Sequence, residues 1–369
     1  MSEWQTFCLK DLGKIVGGAT PPTNNPKNYG NKIAWITPKD LSTLQGRYIK
    51  KGSRNISRLG FKSCSCVLLP KHAILFSSRA PIGYVAIAEK RLCTNQGFKS
   101  IIPNKKIYFE FLYYLLKYHK DNISNIGGGT TFKEVSGATL GLFQVKIPPT
   151  YYEQQKIART LSVLDQKIEN NHKINELLHT LVYKIYEYYF KYKPKNAKLE
   201  QIIIENPKSS IMVKNAQKTQ DKYPFFTSGD NTLSYPKAII DGRNCFLNTG
   251  GNAGIKFYVG KASYSTDTWC ICANEFSDYL YLLLSSIKNH INQSFFQGTS
   301  LKHLQKNLLK KYPIYMPSAH EIKKFNQIMM PLLTLISINT RTSKKLEQIR
   351  DFLLPLLLKQ QVKPKQKIL

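Results

Sequence analysis

Apolar residues recur along two stretches of this chain at alternating intervals of four and three positions. The first stretch runs from Ile157 to Tyr189 and the second from Phe325 to Leu357, an offset of 168 residues. Such alternation is typical of the seam along which two α-helices pack as a coiled coil. It predicts two long helices that pair through Ile157, Leu161, Leu164, Ile168, Asn171, Asn175, Leu178, Val182, Ile185 and Tyr189 and through Phe325, Met329, Leu332, Ile336, Asn339, Ser343, Leu346, Arg350, Leu353 and Leu357.

Both helices have the same start signal, a Ser or Thr followed three positions later by Glu. The first copy has Thr150 and Glu153, and the second has Ser318 and Glu321. In such a capping box the hydroxyl accepts a hydrogen bond from an amide of the first turn, while the Glu side chain reaches back to the cap. These residues therefore predict where the two helices begin.

Polar residues interrupt both seams at the same place. They are Asn171 and Asn175 in the first stretch, and Asn339 and Ser343 in the second. Polar seam residues cost stability and fix register and partner choice. If the helices pair antiparallel, Asn171 faces Ser343 and Asn175 faces Asn339. We predict that these four residues set the register. The alternative, two ordinary amphipathic helices in two similar domains, does not explain the shared interruption.

The repeated helices divide the chain into alternating globular and helical parts. Each globular region mixes short apolar strands with an apolar helix, which predicts an α/β (α+β) module. The predicted strands are 33–37, 66–70, 73–77, 84–88, 244–248 and 255–259, and the predicted helices are 109–119 and 279–286. The expected parts are a first module at 1–146, a helix at 147–195, a second module at 196–315, a helix at 316–362 and a basic tail at 363–369.

The two modules also resemble each other in short segments. Segments 78–83 and 94–98 correspond to 249–254 and 265–269 at an offset of 171, and segment 129–133 corresponds to 298–302 at 169. Together with the helices, this predicts an internal duplication with pseudo-two-fold symmetry. The helices stay close in sequence while the loops of the modules diverge.

The charge of the chain indicates a polyanionic partner. Among 369 residues, 54 Lys and Arg against 23 Asp and Glu give a formal net charge of +31. An excess of this size favours nucleic acid or an anionic membrane. The longest apolar run, Phe352 to Leu358, is far too short to span a bilayer, and Met1 to Gln5 do not resemble a signal peptide. We therefore expect a cytoplasmic protein that binds nucleic acid rather than a membrane.

The cysteines do not predict a metal site. Their number, seven, is odd, and Cys64-x-Cys66 and Cys270-x-Cys272 lack the spacing of zinc ligands. We expect reduced cysteines within apolar strands. The seven histidines are also scattered without metal-ligand spacing.

The sequence resembles the specificity (S) subunits of type I restriction–modification systems, and the duplicated arrangement extends this resemblance over essentially the whole chain. The motifs that carry it are Trp35 to Leu41, Ser78 to Gly83, Thr94 to Lys99, and Ile147 to Pro149 with Glu153 and Gln154. The resemblance implies two target-recognition domains, separated by helices that pair antiparallel. Each domain is expected to read one half of a split double-stranded DNA target.

The resemblance also implies partners. Modification (methyltransferase) subunits, two of them, are expected to dock on the chain, and a restriction subunit joins them. S-adenosylmethionine, ATP and Mg are expected on those subunits, with no cofactor on this chain. Two features depart from the family pattern. The second copy lacks the double Pro and the Glu-Gln pair, and Pro355 is expected to kink or end the second helix near Asp351.

The sequence predicts no active site. An amino-methyltransferase needs an Asn/Asp-Pro-Pro-aromatic loop, which neither 24–27 nor 147–151 provides. Residues 127–131 lack the Gly-Lys-Ser/Thr ending of a phosphate-binding loop. We expect a non-catalytic subunit that positions catalytic partners on DNA. A standalone DNA-binding regulator is the alternative. A bifunctional nuclease–methyltransferase would need a catalytic region, and a structural coiled-coil protein would not need two basic modules.

Candidate DNA contacts are polar side chains in the segments that the modules share. Lys and Arg neutralise phosphates, while other donors and acceptors read base edges. The candidates are Ser77, Ser78, Arg79, Asn95, Gln96, Lys99, Thr130, Thr131 and Lys133 in the first module, and Asn231, Asn248, Thr249, Asn252, Thr266, Asp267, Thr299, Ser300 and Lys302 in the second. A purely structural role in turns remains the alternative for these side chains. It is the favoured role for Gly83, Gly129, Gly254 and Gly298, as a place in the core is for Phe98 and Trp269.

Overall fold

The computed structural model describes residues 3–129, 133–216 and 222–362. The chain divides into two compact units. The first comprises Met1–Asn170 with Ser343–Leu369, and the second comprises Asn171–Thr342. Each unit therefore contains one globular module and a stretch of each long helix.

The first module is built from ten strands and five helices and leads into the first long helix. In chain order the elements are β1 (Gln5–Cys8), α1 (Leu9–Leu12), β2 (Gly13–Gly17), β3 (Tyr29–Ile33), β4 (Trp35–Ile36), α2 (Pro38–Ser42), β5 (Tyr48–Ile49), α3 (Arg58–Lys62), β6 (Ile74–Phe76), β7 (Val85–Ala88), β8 (Cys93–Thr94), β9 (Lys99–Pro103), α4 (Phe109–Asn125), α5 (Gly137–Leu142), β10 (Gln144–Ile147) and α6 (Tyr151–Tyr186).

The second module follows and leads into the second long helix. Its elements are β11 (Ala197–Lys198), β12 (Ile204–Glu205), β13 (Tyr223–Phe226), β14 (Leu233–Tyr235), β15 (Arg243–Asn248), β16 (Ile255–Val259), β17 (Ser263–Tyr264), β18 (Thr268–Cys272), α7 (Ser277–Ser286), α8 (Lys288–Ser294), β19 (Phe296–Gln297), β20 (His303–Leu304), α9 (Lys306–Lys310), β21 (Pro313–Ile314) and α10 (Ala319–Leu358).

The duplication extends to sheet topology. The main sheet of the first module has the strand order β2-β9-β6-β7-β5, and that of the second has β12-β18-β15-β16. The central strands β9-β6-β7 and β18-β15-β16 are antiparallel in both and occupy corresponding places in the sequence. A parallel pair accompanies each sheet, β4 with β8 and β13 with β17. The predicted α/β character of both modules is confirmed.

The two long helices form as the seam pattern predicts. The helix α6 has 36 residues and continues into a π-helical turn at Glu187–Lys191, and α10 has 40 residues. All predicted seam positions are buried or half-buried. Both capping boxes are present: the amide of Glu153 donates to Thr150 Oγ1 (3.2 Å), and the amide of Ser318 donates to the Glu321 carboxylate (2.9 Å).

The helices pack against each other with opposite chain directions. In the first unit, Arg350 Nη1 lies 2.6 Å from Asp165 Oδ1. In the second unit, Asn339 Nδ2 donates to Asn175 Oδ1 (2.9 Å). Residue numbers fall on α10 as they rise on α6, so the pair is antiparallel, as predicted.

The expectation was that Pro355 kinks or ends the second helix near Asp351, and the expected end is wrong. The helix α10 continues through Pro331 and Pro355 to Leu358. A proline inside a helix removes one hydrogen bond and costs about 3 kcal/mol. Leu354 and Leu357 lie buried in the core of the first unit. Each fully buried leucine contributes about 1.5–3 kcal/mol, so the packing of the last turns outweighs the cost.

The predicted strand at 66–70 is also wrong. Leu69 forms only an isolated bridge with Leu92, because Pro70 has no amide to extend a ladder and Cys66 Sγ instead donates to the Ala19 carbonyl (3.1 Å). Cys66 is therefore buried outside any strand. The predicted strand 255–259 coincides with β16, and the remaining predicted strands and helices have counterparts with shifted ends. For the predicted strand at 33–37 the counterpart is β4.

An arginine in each unit joins the module to its long helix. In the first unit, Arg47 contacts Glu110 (Nη1–Oε1 3.0 Å) on α4 and Glu169 (Nε–Oε1 3.1 Å) on α6. In the second, Arg243 forms a two-point contact with Asp278 on α7 (2.5 and 2.7 Å), and its Nη1 donates to Thr334 Oγ1 on α10 (3.0 Å). These clusters fix the orientation of each module on its helix.

Candidate nucleic-acid interface

Three segments of the first module meet at the end of β6. The amide of Ser78 donates to the Gly97 carbonyl (2.8 Å), and the amide of Val135 donates to the Ser78 carbonyl (3.0 Å). A backbone pair between Gly128 and Glu134, joined by two hydrogen bonds, completes the group. The segments that the internal repeat singled out therefore lie side by side.

The second module repeats this arrangement. The amide of Leu304 donates to the Thr249 carbonyl (3.0 Å), at the sequence offsets that relate the two modules. The amide of Gly251 donates to the Lys302 carbonyl (2.9 Å), and Thr249 Oγ1 donates to the Asp267 carbonyl (2.7 Å). The same three kinds of segment thus form one surface in each unit.

The first module brings five described candidates to or near the surface. Gln96 and Lys133 are exposed, whereas Arg79, Asn95 and Lys99 are half-buried. The side-chain oxygen of Asn95 accepts the amide two residues later (3.0 Å) and so holds its own turn. The candidates therefore include one exposed cation, Lys133, two cations with partners, Arg79 and Lys99, and one exposed amide, Gln96.

In the second module the exposed candidates outnumber the buried one. Asn231, Asn252, Asp267, Thr299, Ser300 and Lys302 are exposed, and Thr249 and Thr266 are half-buried. This surface contains mostly neutral donors and acceptors, with one Lys and one Asp among the candidates. Two of the candidates from the first module, Thr130 and Thr131, lie outside the described residues.

Three of the candidates, Ser77, Ser78 and Asn248, have buried side chains. Ser77 Oγ donates to the Pro81 carbonyl and accepts the Tyr84 amide, each at 2.8 Å. Ser78 is fully buried. In the second module, Asn248 Nδ2 donates to the Asn252 carbonyl (3.1 Å). The side chains of Ser77 and Asn248 hold their turns, and none of the three reaches the surface, so we leave them out of the proposal below.

The glycines and aromatic residues have the structural roles expected of them. Gly129 and Gly298 both have positive φ, +122° and +143°, at corresponding places in the two modules. A side chain is strained in that region of conformation. Phe98 and Trp269 are 0% and 3% exposed, within the module cores.

Sequence reasoning missed Glu134 and Lys256. Glu134 contacts Arg79 (3.4 Å) and Lys99 (3.2 Å). Lys256 Nζ donates to the carbonyls of Thr227 (2.7 Å) and Gly229 (2.5 Å), which ties their turn to β16. Burial lowers the pKa of Lys256. The position of Glu134 next to a shared motif was the one available signal; Lys256 gave none.

The described part of the chain contains no group of three or more His, Cys, Asp or Glu side chains arranged to hold a metal ion. None of its helices combines the length and apolar character needed to cross a membrane. Its seven cysteines are free thiols. Chemically, each surface offers hydrogen-bond donors and acceptors together with cations, which suits the binding of a charged polymer rather than bond making.

The chain matches the family model for the type I restriction modification DNA specificity domain over residues 1–180 and 195–348. It is 32% identical over 407 residues to the type I restriction enzyme MjaIX specificity subunit of Methanocaldococcus jannaschii, covering 96% of this chain and 92% of that protein. A HindI specificity subunit of Haemophilus influenzae is 30% identical over 177 residues, 46% of this chain and 37% of that protein. The crystal structure of a type I S subunit from M. genitalium aligns with a TM-score of 0.67 at 18% identity, covering 99% of this chain and 97% of that one.

Proposed function

The chain belongs to the type I restriction–modification DNA specificity family, and from this premise we propose that each module reads one half of a split double-stranded DNA target. A specificity subunit is the non-catalytic member of its system. The proposal assigns target choice to the two surfaces described above. It assigns chemistry to methyltransferase and restriction subunits that the chain positions on DNA.

The observation that carries the proposal is the repeated surface. The backbone bonds from Val135 to Ser78 and from Leu304 to Thr249 place equivalent segments in equivalent positions. The side chains on that constant frame differ, with cations in the first module and mostly neutral groups in the second. A constant frame with divergent side chains suits the reading of two different sequences, since base contacts specify and phosphate contacts position.

The proposed contacts follow from exposure. Lys133 and Lys302, exposed on the corresponding loops, are proposed to neutralise phosphates. Base edges are proposed to be read by the remaining accessible candidates, which are Arg79, Asn95, Gln96, Lys99, Asn231, Thr249, Asn252, Thr266, Asp267, Thr299 and Ser300.

The helix pair is proposed to act as a ruler. The helix α6 alone is about 54 Å long at 1.5 Å per residue. Two modules that read the major groove from one side of DNA should contact blocks about one helical turn apart, roughly 10 base pairs. We therefore propose a target of two short blocks around an unread gap of fixed length, and residues Asn171, Asn175, Asn339 and Ser343 as the register of the ruler.

One flank of the helix pair is proposed to receive the methyltransferase subunits. The helix pair has two flanks beside its seam. On each helix, one flank contains the positions one before and two after the first seam residue of a heptad, such as Asn175, and the other contains the positions one after either seam residue. The latter side is buried against the modules, as Tyr186, Leu333 and Ser337 illustrate in the second unit. The former side is exposed and contains most of the large exposed apolar side chains of the two helices, which are Ile174, Leu177, Leu181, Ile328, Leu335 and Ile338 in the second unit and Val163, Ile349 and Phe352 in the first.

Exposed apolar side chains in such a stripe mark protein-binding sites. Because each unit carries part of the stripe, we propose two methyltransferase subunits, one on each unit. Leu177→Glu should abolish copurification of the co-expressed methyltransferase subunit, whereas Lys173→Glu, on the exposed surface of the same turn, should not. Equal binding by both variants would reject this docking site. A lone regulator would not need such a stripe.

Module exchange tests the central proposal. Residues 196–315 are replaced by the corresponding module of a relative with a known target, and the methylome of cells with the full system is sequenced. One half of the methylated site should change and the other should stay. The reciprocal exchange of residues 1–146 should change the other half. Alteration of both halves by either exchange would reject the division of labour. The purified chain alone should transfer no methyl group to DNA.

A further inference from the structure

Glu134 lies between two cations of the first reading surface. Its carboxylate oxygens are 3.4 Å from Arg79 Nη1 and 3.2 Å from Lys99 Nζ. The side chains of Arg79 and Glu134 are 38% and 35% exposed, and that of Lys99 is 20% exposed. The cluster is therefore partly open to solvent, on the surface where DNA is proposed to bind.

The acid is not required for this backbone pair. Gly128 and Glu134 form the closing pair of the loop, and Gln297 and His303 form the corresponding pair in the second module. The second module thus builds the same closure with a histidine in place of the acid.

The two cations are absent from the second module together with the acid. The position that corresponds to Arg79 is Gly250, and the position that corresponds to Lys99 is Cys270. All three charged side chains are present in one module and replaced in the other, which is expected of groups that act together on one ligand.

The geometry changes what these cations can do. A cation whose charge is balanced by a neighbouring carboxylate attracts phosphate less, because the carboxylate repels it. A guanidinium has five N–H donors in a fixed fork. Among the described residues, Arg79 is engaged at Nη1, so its orientation is set while other donors of the fork can meet O6 and N7 of guanine.

We propose that Glu134 is a specificity-determining residue that converts Arg79 and Lys99 from phosphate contacts into base-reading contacts. It positions both cations toward base edges and suppresses their use in phosphate-only binding. Non-specific complexes, which depend on phosphate contacts, are weakened most. This inference rests on the proposed function of the first module in DNA binding.

The test compares Glu134→Gln with Glu89→Gln in the full-length chain. Glu89 is a matched control, because it pairs with Lys50 (3.8 Å) in the same module, both side chains are well exposed, and the charge change is the same. Two DNA duplexes of equal length are compared. One contains the sequence that the complete system methylates, and the other is unrelated. Binding of each is measured by fluorescence anisotropy over a salt series.

Glu134→Gln should tighten binding of the unrelated duplex several-fold and steepen its log–log salt dependence by about one to two, as freed cations engage phosphates. The ratio of specific to non-specific affinity should fall by about ten-fold, within the range of one good base contact. Glu89→Gln should leave the ratio unchanged. In an Arg79→Ala background, Glu134→Gln should lose most of its effect on the ratio.

If both Gln variants changed the two affinities equally, the effect would come from net charge alone, and the proposal would be overturned. An equal loss of both affinities together with a lowered melting temperature would also overturn it, because Glu134 would then only stabilise the fold. If the unsubstituted chain showed no preference for the methylated target, the proposed function itself would fail, an outcome distinct from either of these.

Discussion

Asn339 and Asn175 are joined across the helix pair by a side-chain hydrogen bond of 2.9 Å. Asn175 Nδ2 in turn donates to the Ile336 carbonyl (3.3 Å) and to Thr340 Oγ1 (3.2 Å). Both amides thus have partners within the mainly apolar seam. A slip by one turn in either direction would place one of the two asparagines opposite Leu178 or Ile336, so this pair favours one alignment.

Replacement of Asn175 by Leu should destabilise the chain by about 1–3 kcal/mol, since the amide of Asn339 would lose its acceptor in a half-buried site. Replacement of both asparagines by Leu should restore most of the stability but loosen the register. Urea denaturation measures the first effect, and the methylome measures the second as sites with more than one gap length.

Asn170→Leu is the control, because Asn170 is exposed on the same helix and its replacement should change stability by less than about 0.5 kcal/mol. A double variant that keeps a single gap length would mean that the asparagines do not set the register.

The seam could be predicted from the sequence because its signal is local and periodic. Every seam position is at least half-buried, and both capping boxes are formed. Pro355 misled the prediction, because a local rule about proline ignores the core that holds Leu354 and Leu357. The predicted strand at 66–70 failed for a related reason, since apolar composition alone does not supply a partner strand.

The shared motifs located segments that lie side by side in each module, but they did not give the direction of each side chain. Ser77, Ser78 and Asn248 were therefore included although they are buried. The arginine clusters were missed entirely. Arg47 and Glu169 are 122 positions apart, and a single sequence contains no periodic signal for such a pair.

Loss of Arg243 should be costly. Asp278 is buried and receives two hydrogen bonds from Arg243. Arg243→Met would leave this carboxylate without its cation, and breaking a buried pair in this way costs about 3–5 kcal/mol. Arg243→Met combined with Asp278→Leu should regain most of that loss. Chemical denaturation provides the values, with Lys324→Met on the exposed face of α10 as a control that should change little.

Removal of Lys133 should weaken DNA binding to a similar degree for every sequence. A phosphate contact adds affinity without sequence information, so Lys133→Gln should lower the log–log salt slope by about one. Lys302→Gln should do the same through the second module. Lys105→Gln is the control, because Lys105 is exposed beyond the far end of β9 from Lys99. A change in the ratio of specific to non-specific affinity would contradict a phosphate role.

The contribution of Asp40 to stability should depend on pH. Burial alone would raise the pKa of this carboxyl, but the amide of Ser53 (2.7 Å) and the hydroxyl and amide of Thr37 (2.7 and 2.8 Å) donate to it and lower the pKa below its usual value. Its stabilisation is therefore full above the unfolded pKa of about 3.9 and is lost as pH falls through the lower folded value.

Asp40→Asn should accordingly destabilise the chain by about 1 kcal/mol between pH 5 and 7, the usual effect of a helix cap. The difference from the unsubstituted chain should shrink below about pH 4. Urea denaturation at a series of pH values measures it. A difference that stays constant down to pH 3 would mean that the charge of Asp40 contributes nothing.

The length of the helix pair offers the sharpest test of the ruler. The sequence alone suggests deletion of one heptad from each helix at 158–164 and 326–332. The structure argues against these segments, because Leu161 lies in the core of the first unit and Met329 in that of the second. Their loss would damage the modules as well as the ruler.

Tandem duplication of 171–177 together with 339–345 instead adds one heptad to each helix between the module-bound stretches, keeps the seam in phase and retains the register residues and Leu177. Seven residues span about 10 Å of helix, so the unread gap of the target should lengthen by up to about three base pairs, at 3.4 Å per step. The two specific blocks should stay the same, since no module residue is changed. Methylome sequencing of cells with the complete system reads both outcomes. A folded, active variant that still methylates sites with the original gap would rule out the helix pair as the ruler.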